Sequence, residues 1–467
     1  MKKKNPHKEE SFRQNPDKLW GTQTQLCLEH FRIGPQVFPA CFIKALVSIK
    51  RACAEVNESC QLLDSECAEA IVNSCNDILE GAYSEQFPLS VWQTGSGTQT
   101  NMNVNEVICT LANNMLLAKH CDLLIHANDH VNMSQSSNDV FPTAMHISVA
   151  EMTQQKLFKN LTHLDQELAA KQEDFKEILT VGRTHLMDAL PLTMGDIISA
   201  HRAQLSYAQK ALNDSLKEVY FLAIGGTAVG NGANAPAGFG TMVCRRLSES
   251  YTLPFKLQDN LFAAVCGEDV LLRHSGAVKQ LAAALLKMAN DFRLLGSGPR
   301  CGFNEWRLSA NEAGSSIMPG KVNPTQCEAL SMVCLQVFGN DLSISLGASQ
   351  GQLQLNTYRP LIIHNLLESI ALLTDAMDSF ATHCVRGLSL NESQIAKNVK
   401  MNLSAITLLA PKIGYDQAAE IVKAALAADI TLAEAAVKLN VCSPYEWQQL
   451  IADAMKGLAA HNQYGEL

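Results

Sequence analysis

The sequence predicts an all-α protein in three domains, built on a central bundle of five long helices. Three observations carry this. Apolar residues recur in steps of three and four over long stretches. Alternating, strand-like runs are nearly absent. The 467 residues, 47% hydrophobic and 18% charged, are enough for a large core and about three domains.

The first domain is expected over residues 1–138. Residues 1–14 are polar and expected to fray. Residues 40–80 are helical in pattern. Cys53, Cys60 and Cys67 recur every seven residues, with Cys75 close behind. This places them along one apolar helix face as small buried hydrophobes. A break from Glu85 leads into Thr94-Gly95-Ser96-Gly97-Thr98-Gln99-Thr100-Asn101, which runs on to Glu106. Its glycines let backbone approach a ligand closely, and its hydroxyls and amides offer neutral hydrogen bonds. A helix start rich in Ser, Thr and Asn would use the same residues equally well. A second polar cluster holds His126, Asn128, Asp129 and His130, then Ser136, Ser137, Asn138 and Asp139. Its spacing fits no zinc pattern, and acidic residues near a helix start act as caps, so no metal is assigned.

The central domain is expected over residues 139–390. Its seams are Leu157, Leu161, Leu164 and Leu168; Leu205, Ala208, Leu212, Leu216 and Val219; and His274 through Val278, Leu281, Leu285, Met288 and Phe292 to Leu295. A fourth helix is expected from Pro324 to Ser345, and a fifth along Ile363, Leu366, Ile370, Leu373, Met377, Phe380 and Cys384. At roughly 22–30 residues each, such helices are about 33–45 Å long. Apolar residues on more than one stripe imply burial against other subunits as well.

Three loops interrupt the helices. Val181 to Gly195 reads as a turn presenting His185 between Thr184 and Asp188, a candidate general acid or base, although a lone histidine is more often structural. Gly230 to Ala235 matches GxGxxA in outline but has no strand before it. Gly314 to Glu328 carries Ser315 and Ser316, a Pro319-Gly320 turn, Lys321, and then Asn323-Pro324, which reads as an N-cap and first helical residue. Glu328 then lies one turn into the helix. A loop cation feeding a helix start suits capture of an anion. Residues 391–467 read as a small helical C-terminal domain with capping boxes Thr431–Glu434 and Ser443–Glu446.

The net charge of -9 argues against a nucleic-acid surface. No apolar run follows Lys2-Lys3-Lys4, so no secretory leader is expected, and the uncharged run Leu222–Cys244 is broken by six glycines and a proline and does not read as a membrane span. Of fifteen cysteines, no two are closer than seven residues, which points to reduced thiols and a cytoplasmic protein.

Residues 94–106, 182–195 and 314–328 on an all-helical frame resemble the fumarase/aspartase superfamily, whose signature is Gly314-Ser315-Ser316-x-Met318-Pro319-x-Lys321-x-Asn323. Thr94 to Asn101 and Gly182-Arg183-Thr184-His185 are similar to class II fumarases; an aspartase would carry glutamine at 185. The likeness runs from Asp17 to about residue 455. It implies the superfamily's three-domain fold and reversible hydration of fumarate to (S)-malate, as in the tricarboxylic acid cycle. No metal or organic cofactor is implied. It also implies a homotetramer whose active sites are each shared by three subunits. By resemblance, Ser315 is the base, and His185 paired with Glu328 activates water. Ser96, Gly97, Thr98, Ser136, Ser137, Asn138, Thr184, Ser316, Lys321, Val322 and Asn323 bind the dicarboxylate. A second, non-catalytic dicarboxylate site would use His126, Ala127, Asn128 and Asp129, but Ala127 replaces the family's proline and Leu123 stands near the place of its arginine. Met187 replaces a glutamine. The alternatives are another lyase of the superfamily, such as aspartate ammonia-lyase, or a non-catalytic helical homologue.

Overall fold

The structure, a computed structural model, describes residues 18–312 and 314–461. The fraying expected of residues 1–14, and Asp17, lie outside them.

The chain enters through α1 (Thr22–His30). Gly21 gives this helix no side-chain cap. Instead the Glu106 carboxylate accepts from the N–H groups of Gly21, Gln23 and Thr24 at 3.0, 2.9 and 3.1 Å, placing negative charge at the helix start. Glu106 is thereby a structural cap. Residues 40–80 form two helices, α2 (Ala40–Ser59) and α3 (Ser65–Leu79). The expected single cysteine face is therefore corrected: Cys53 lies on α2, Cys60 ends it, and Cys67 and Cys75 lie on α3. The break comes from Gln61, at φ 59°, and from Asp64, whose side chain caps α3 by accepting from Glu66 N–H. All fifteen cysteines are free.

After α4 (Thr98–Ala118), α5 (Ser137–Met152) begins with a capping box between Ser136 and Asp139. A wide turn at Thr153–Leu157 carries it without a break into α6 (Phe158–Asp174). Next comes a β-hairpin, β1 (Leu179–Thr184) with β2 (Met187–Thr193). This corrects the expected turn: from Val181 to Thr193 the stretch is a hairpin with only His185 and Leu186 as its loop, and Met194 and Gly195 begin the next helix. Its tip lacks the Asn-Gly or Asp-Gly pair that signals such hairpins.

The chain continues through α7 (Met194–Val219), β3 (Phe221–Leu222), α8 (Phe239–Tyr251), β4 (Lys256–Leu257) and α9 (Leu261–Cys266). The short α8 and α9 escaped the periodicity reading. Then follow α10 (Asp269–Leu295), β5 (Trp306–Arg307), α11 (Thr325–Ala348), α12 (Arg359–Phe380) and β6 (Ser389–Leu390). The predicted seams are buried: Leu164, Leu212, Leu281, Met288, Phe292, Ile363, Leu373 and Phe380 are each 0% exposed. Strands among the described residues form only two-stranded ladders. At the C-terminus α13 (Glu392–Met401), α14 (Ala410–Ile413), α15 (Tyr415–Ala428), α16 (Leu432–Lys438) and α17 (Pro444–His461) surround a local core of Leu409, Ile421, Ala435 and Trp447. Both expected capping boxes form.

The chain divides into two compact units. The first takes the chain up to Leu161, with Tyr207–Ala283 and Met332–Ala376; the second takes Thr162–Ser206, Ala284–Ser331 and the chain from Met377. The bundle helices α6, α7, α10, α11 and α12 each supply residues to both. The sequence boundaries after residues 138 and 390 fall in the first turn of α5 and at the end of β6. In the first unit Phe42 packs against Phe38 and Phe141; in the second Phe292 packs against Trp306 and Phe380. By length and composition α11 could cross a membrane, but its apolar residues divide between two faces. Cys327, Leu330, Cys334, Val337 and Ile344 are buried, while Met332, Leu335, Leu342 and Leu346 are exposed.

Burial lowers the pKa of three histidines, His146, His201 and His274, to about 4, and His274 shows how each contributes to an acid limit. His274 is 0% exposed and bridges Thr153 Oγ1 and Ser215 Oγ at 3.0 and 2.9 Å. Burial lowers its pKa from 6.5 to about 4. Between these values the unfolded chain binds a proton that the folded chain refuses, so stability falls as pH drops through this window. Tm should therefore decline from pH 6.5 to 4, and His274→Gln, which cannot titrate, should flatten the decline. Equal slopes in both proteins would remove His274 from the acid limit.

Candidate active site

In the second unit the hairpin holds its tip rigidly. Arg183, on β1, forks onto Glu305, with Nη2 to Oε1 at 2.6 Å and Nη1 to Oε2 at 3.2 Å, and lies over the Phe303 ring. Glu305 is 0% exposed and also accepts from Asn398 Nδ2 at 2.7 Å. On β2, the Asp188 and Ala189 carbonyls accept from Ser404 Oγ and Asn402 Nδ2 at 3.0 and 2.9 Å. His185 and Leu186 bridge the strands at φ 57° and 62°. Left-handed backbone at two successive non-glycine residues, one of them bulky, marks stored strain of the kind found at functional sites. Thr184 and His185 are exposed, as is Met187.

The 314–324 loop of the same unit closes on itself. Asn323 Nδ2 donates to the Gly314 carbonyl, and Lys321 N–H donates to Met318 O at 3.3 Å. This corrects the expected helix start: the Asn323 side chain ties the loop neck instead of capping, and α11 begins at Thr325. Within the loop, Ser315 Oγ accepts from Ile317 N–H at 3.2 Å and Met318 N–H at 3.1 Å. Two amides thus point at one hydroxyl oxygen. Ser316, Lys321 and Val322 are exposed around it, and Glu328 is exposed in the first turn of α11. Among the described residues no hydrogen bond or ion pair joins His185 to Glu328.

The first unit gathers the remaining predicted residues. Ser96 Oγ and Thr98 Oγ1 are 2.8 Å apart, and Gly97 starts α4 at φ 74°. Asn101 Nδ2 donates to Ser137 Oγ at 3.0 Å, which joins this strip to the start of α5. Ser136 is engaged in the α5 cap, and Asn138 Nδ2 donates to Ala228 O at 2.8 Å. The predicted second site is a surface turn: His126 Nδ1 accepts from Asp129 N–H at 3.3 Å and lies 3.2 Å from Asp129 Oδ2, with Ala127 and Asn128 beside them. Leu123 is exposed nearby in sequence and supplies no charge.

The sequence reading passed over the buried charges beneath these strips. Lys50, 0% exposed, donates to Asn132 Oδ1 and Gln135 Oε1 at 2.8 and 2.9 Å, and Asn101 Nδ2 also reaches Asn132 Oδ1. Burial lowers its ammonium to about 8. Asp139 accepts from the N–H groups of Ser136, Gly225 and Thr227, each at 2.9 Å; burial raises its pKa and these donors oppose the rise. Lys50 was visible as a charge on an apolar stripe, four residues after Leu46 and three before Cys53.

The helical frame and its polar loops are those of a lyase: residues 10–339 match the lyase family, and residues 406–453 match the fumarase C C-terminus. The chain belongs to the class II fumarate hydratase family. It is 51% identical to a class II fumarate hydratase of Thermosynechococcus vestitus, over 93% of each chain. A Pseudomonas putida enzyme of the same description is 50% identical, over 93% of this chain and 94% of its own. Among solved structures, a class II fumarase from Schistosoma mansoni matches with a TM-score of 0.90 at 42% identity, covering 94% of this chain and 95% of its own. A Brucella melitensis protein described as fumarate lyase:delta crystallin, bound to cobalt, matches with a TM-score of 0.90 at 37% identity, covering 95% and 97%.

Proposed function

We propose that the chain catalyses the reversible hydration of fumarate to (S)-malate, with Ser315 as the base. The observation that carries this is the pair of backbone N–H groups aimed at Ser315 Oγ. A serine cannot take a proton from carbon unless its own oxyanion is stabilised, and fixed amide donors supply that. Proton loss beside a carboxylate leaves an aci-carboxylate dianion, and Lys321, Asn323 and the hydroxyls of Ser96, Thr98, Ser137 and Ser316 offer it a cation and neutral donors. Hydroxide then departs from the neighbouring carbon, protonated through His185.

The active unit in this reading is a homotetramer, with each site drawing residues from three subunits. The exposed α11 stripe of Met332, Leu335, Leu342 and Leu346, stepping by three and four around an open Gly339, supports a helix partner from a second copy. His185 then pairs with Glu328 across subunits. Metal independence and a cytoplasmic setting belong to the same reading.

The test is fumarate absorbance on protein of measured oligomeric mass. Malate should give fumarate at a rate unaffected by EDTA, while aspartate and argininosuccinate give none. Fumarate from aspartate would point to an ammonia-lyase. No turnover of any of the three substrates would point to a non-catalytic homologue.

A further inference from the structure

Pro142 sits inside α5. A proline has no N–H, so the Asn138 carbonyl four residues earlier loses its helical donor. The structure fills this vacancy from elsewhere in the first unit. Arg359, at the start of α12, donates from Nη1 to Asn138 O at 2.8 Å. Nε also donates to Glu268 Oε1 at 2.7 Å and Nη2 to Val265 O at 2.6 Å. Its backbone N–H donates to Gly95 O at 3.1 Å. Gly95 is pressed so close to this segment that an added Cβ would lie 1.4 Å from Thr357 O. Arg359 is 0% exposed and Glu268 3%.

One buried residue, through its backbone N–H on Gly95 and its side chain on Asn138, therefore ties together the Gly95–Thr98 strip and the start of α5. We propose that Arg359 is a positioning residue that sets the spacing of these two strips, and with it the affinity for a four-carbon dicarboxylate. This rests on the reading that Ser96, Thr98 and Asn138 hold substrate carboxylate.

The charge pattern separates geometry from attraction. Glu268 neutralises the guanidinium at hydrogen-bond range, so the pair offers a bound dianion little net field. A buried ion pair is also weak evidence for stability, since packed hydrophobes of similar size do as well. What hydrophobes cannot do is hold a carbonyl in the first turn of one helix and a carboxylate ahead of another in one plane. A lysine at this position keeps the charge but loses the fork.

The test uses the full-length protein and malate dehydration. Arg359→Lys should fold, raise KM for malate roughly tenfold or more, and leave kcat within about threefold, because the lost contact acts on bound substrate and transition state alike. The Ki of a dicarboxylate competitor such as succinate should rise in parallel. A second change tests the orphaned carbonyl directly. Pro142→Ala restores an N–H facing Asn138 O, so adding it to Arg359→Lys should bring KM back toward wild type; no recovery in a folded double variant would overturn the carbonyl role. Wild-type KM in folded Arg359→Lys would overturn the whole proposal. Should that variant not fold, Glu268→Gln carries the same readout: raised KM with kcat retained supports the proposal, and an unchanged KM overturns it. Failure of wild type to dehydrate malate would instead overturn the reading on which this rests.

Discussion

Ser315→Ala should lower kcat for malate dehydration by about a thousandfold or more while leaving the fold intact. The variant loses the oxygen that accepts from the Ile317 and Met318 N–H groups. Donors placed on a developing oxyanion are each worth about two to three orders of magnitude in rate, so removing the oxygen they serve forfeits their contribution with the base itself. The fold is spared because Ser315 is half-exposed and its hydrogen bonds stay within its own turn. His185→Asn should lose turnover comparably, by the removal of proton transfer. Fumarate absorbance and thermal melts check both. Turnover of Ser315→Ala within about tenfold of wild type would take this serine out of the base role.

Gly314→Ala should cost about a hundredfold in kcat/KM with little change in Tm. A Cβ there would lie 1.7 Å from the Lys321 carbonyl oxygen and 2.5 Å from its carbon, and backbone atoms cannot yield as a side-chain tip can. The neck that Asn323 closes on Gly314 O would spring open, moving Ser315 and Lys321 relative to each other. Global stability is spared because the loop is largely exposed, with Ile317 and Val322 open to solvent. Gly320→Ala is the control: its Cβ meets nothing, and only its φ of +77° resists an L side chain. The expected loss there is at most about thirtyfold, since left-handed backbone costs roughly 1–2 kcal/mol in an L residue. Equal losses in both variants would show that loop freedom, not the neck contact, controls the rate.

The five bundle helices were legible because burial repeats with the helical period, and Leu164, Leu281 and Ile370 lie on that period. The capping boxes at Thr431 and Ser443 were legible because both partners sit within four residues. Longer-range partnerships were not. Arg359 finds Glu268 91 residues away, and Arg183 finds Glu305 122 residues away; neither pairing leaves a local pattern. The hairpin was hidden for another reason. Its tip is His185-Leu186, a pair that no turn preference selects, held left-handed by the tertiary contacts of Arg183, Asn402 and Ser404. Of the site, the residue types were readable, whereas the amides aimed at Ser315 Oγ were not, since backbone N–H groups have no letter in a sequence.

The α11 helix begins one residue after the loop that carries Ser315 and Asn323, and it extends about 36 Å. Its far half bears the bare stripe of Leu342 and Leu346. If α11 is seated at one end on the Ser315 loop and at the other on a sister chain, as proposed, quaternary order and turnover become a single heritable trait. Under the proposed assembly, neutral drift at Leu342 is bounded by catalysis although Leu342 meets no substrate, and compensating changes should arise in the surface it seats against rather than in the loop.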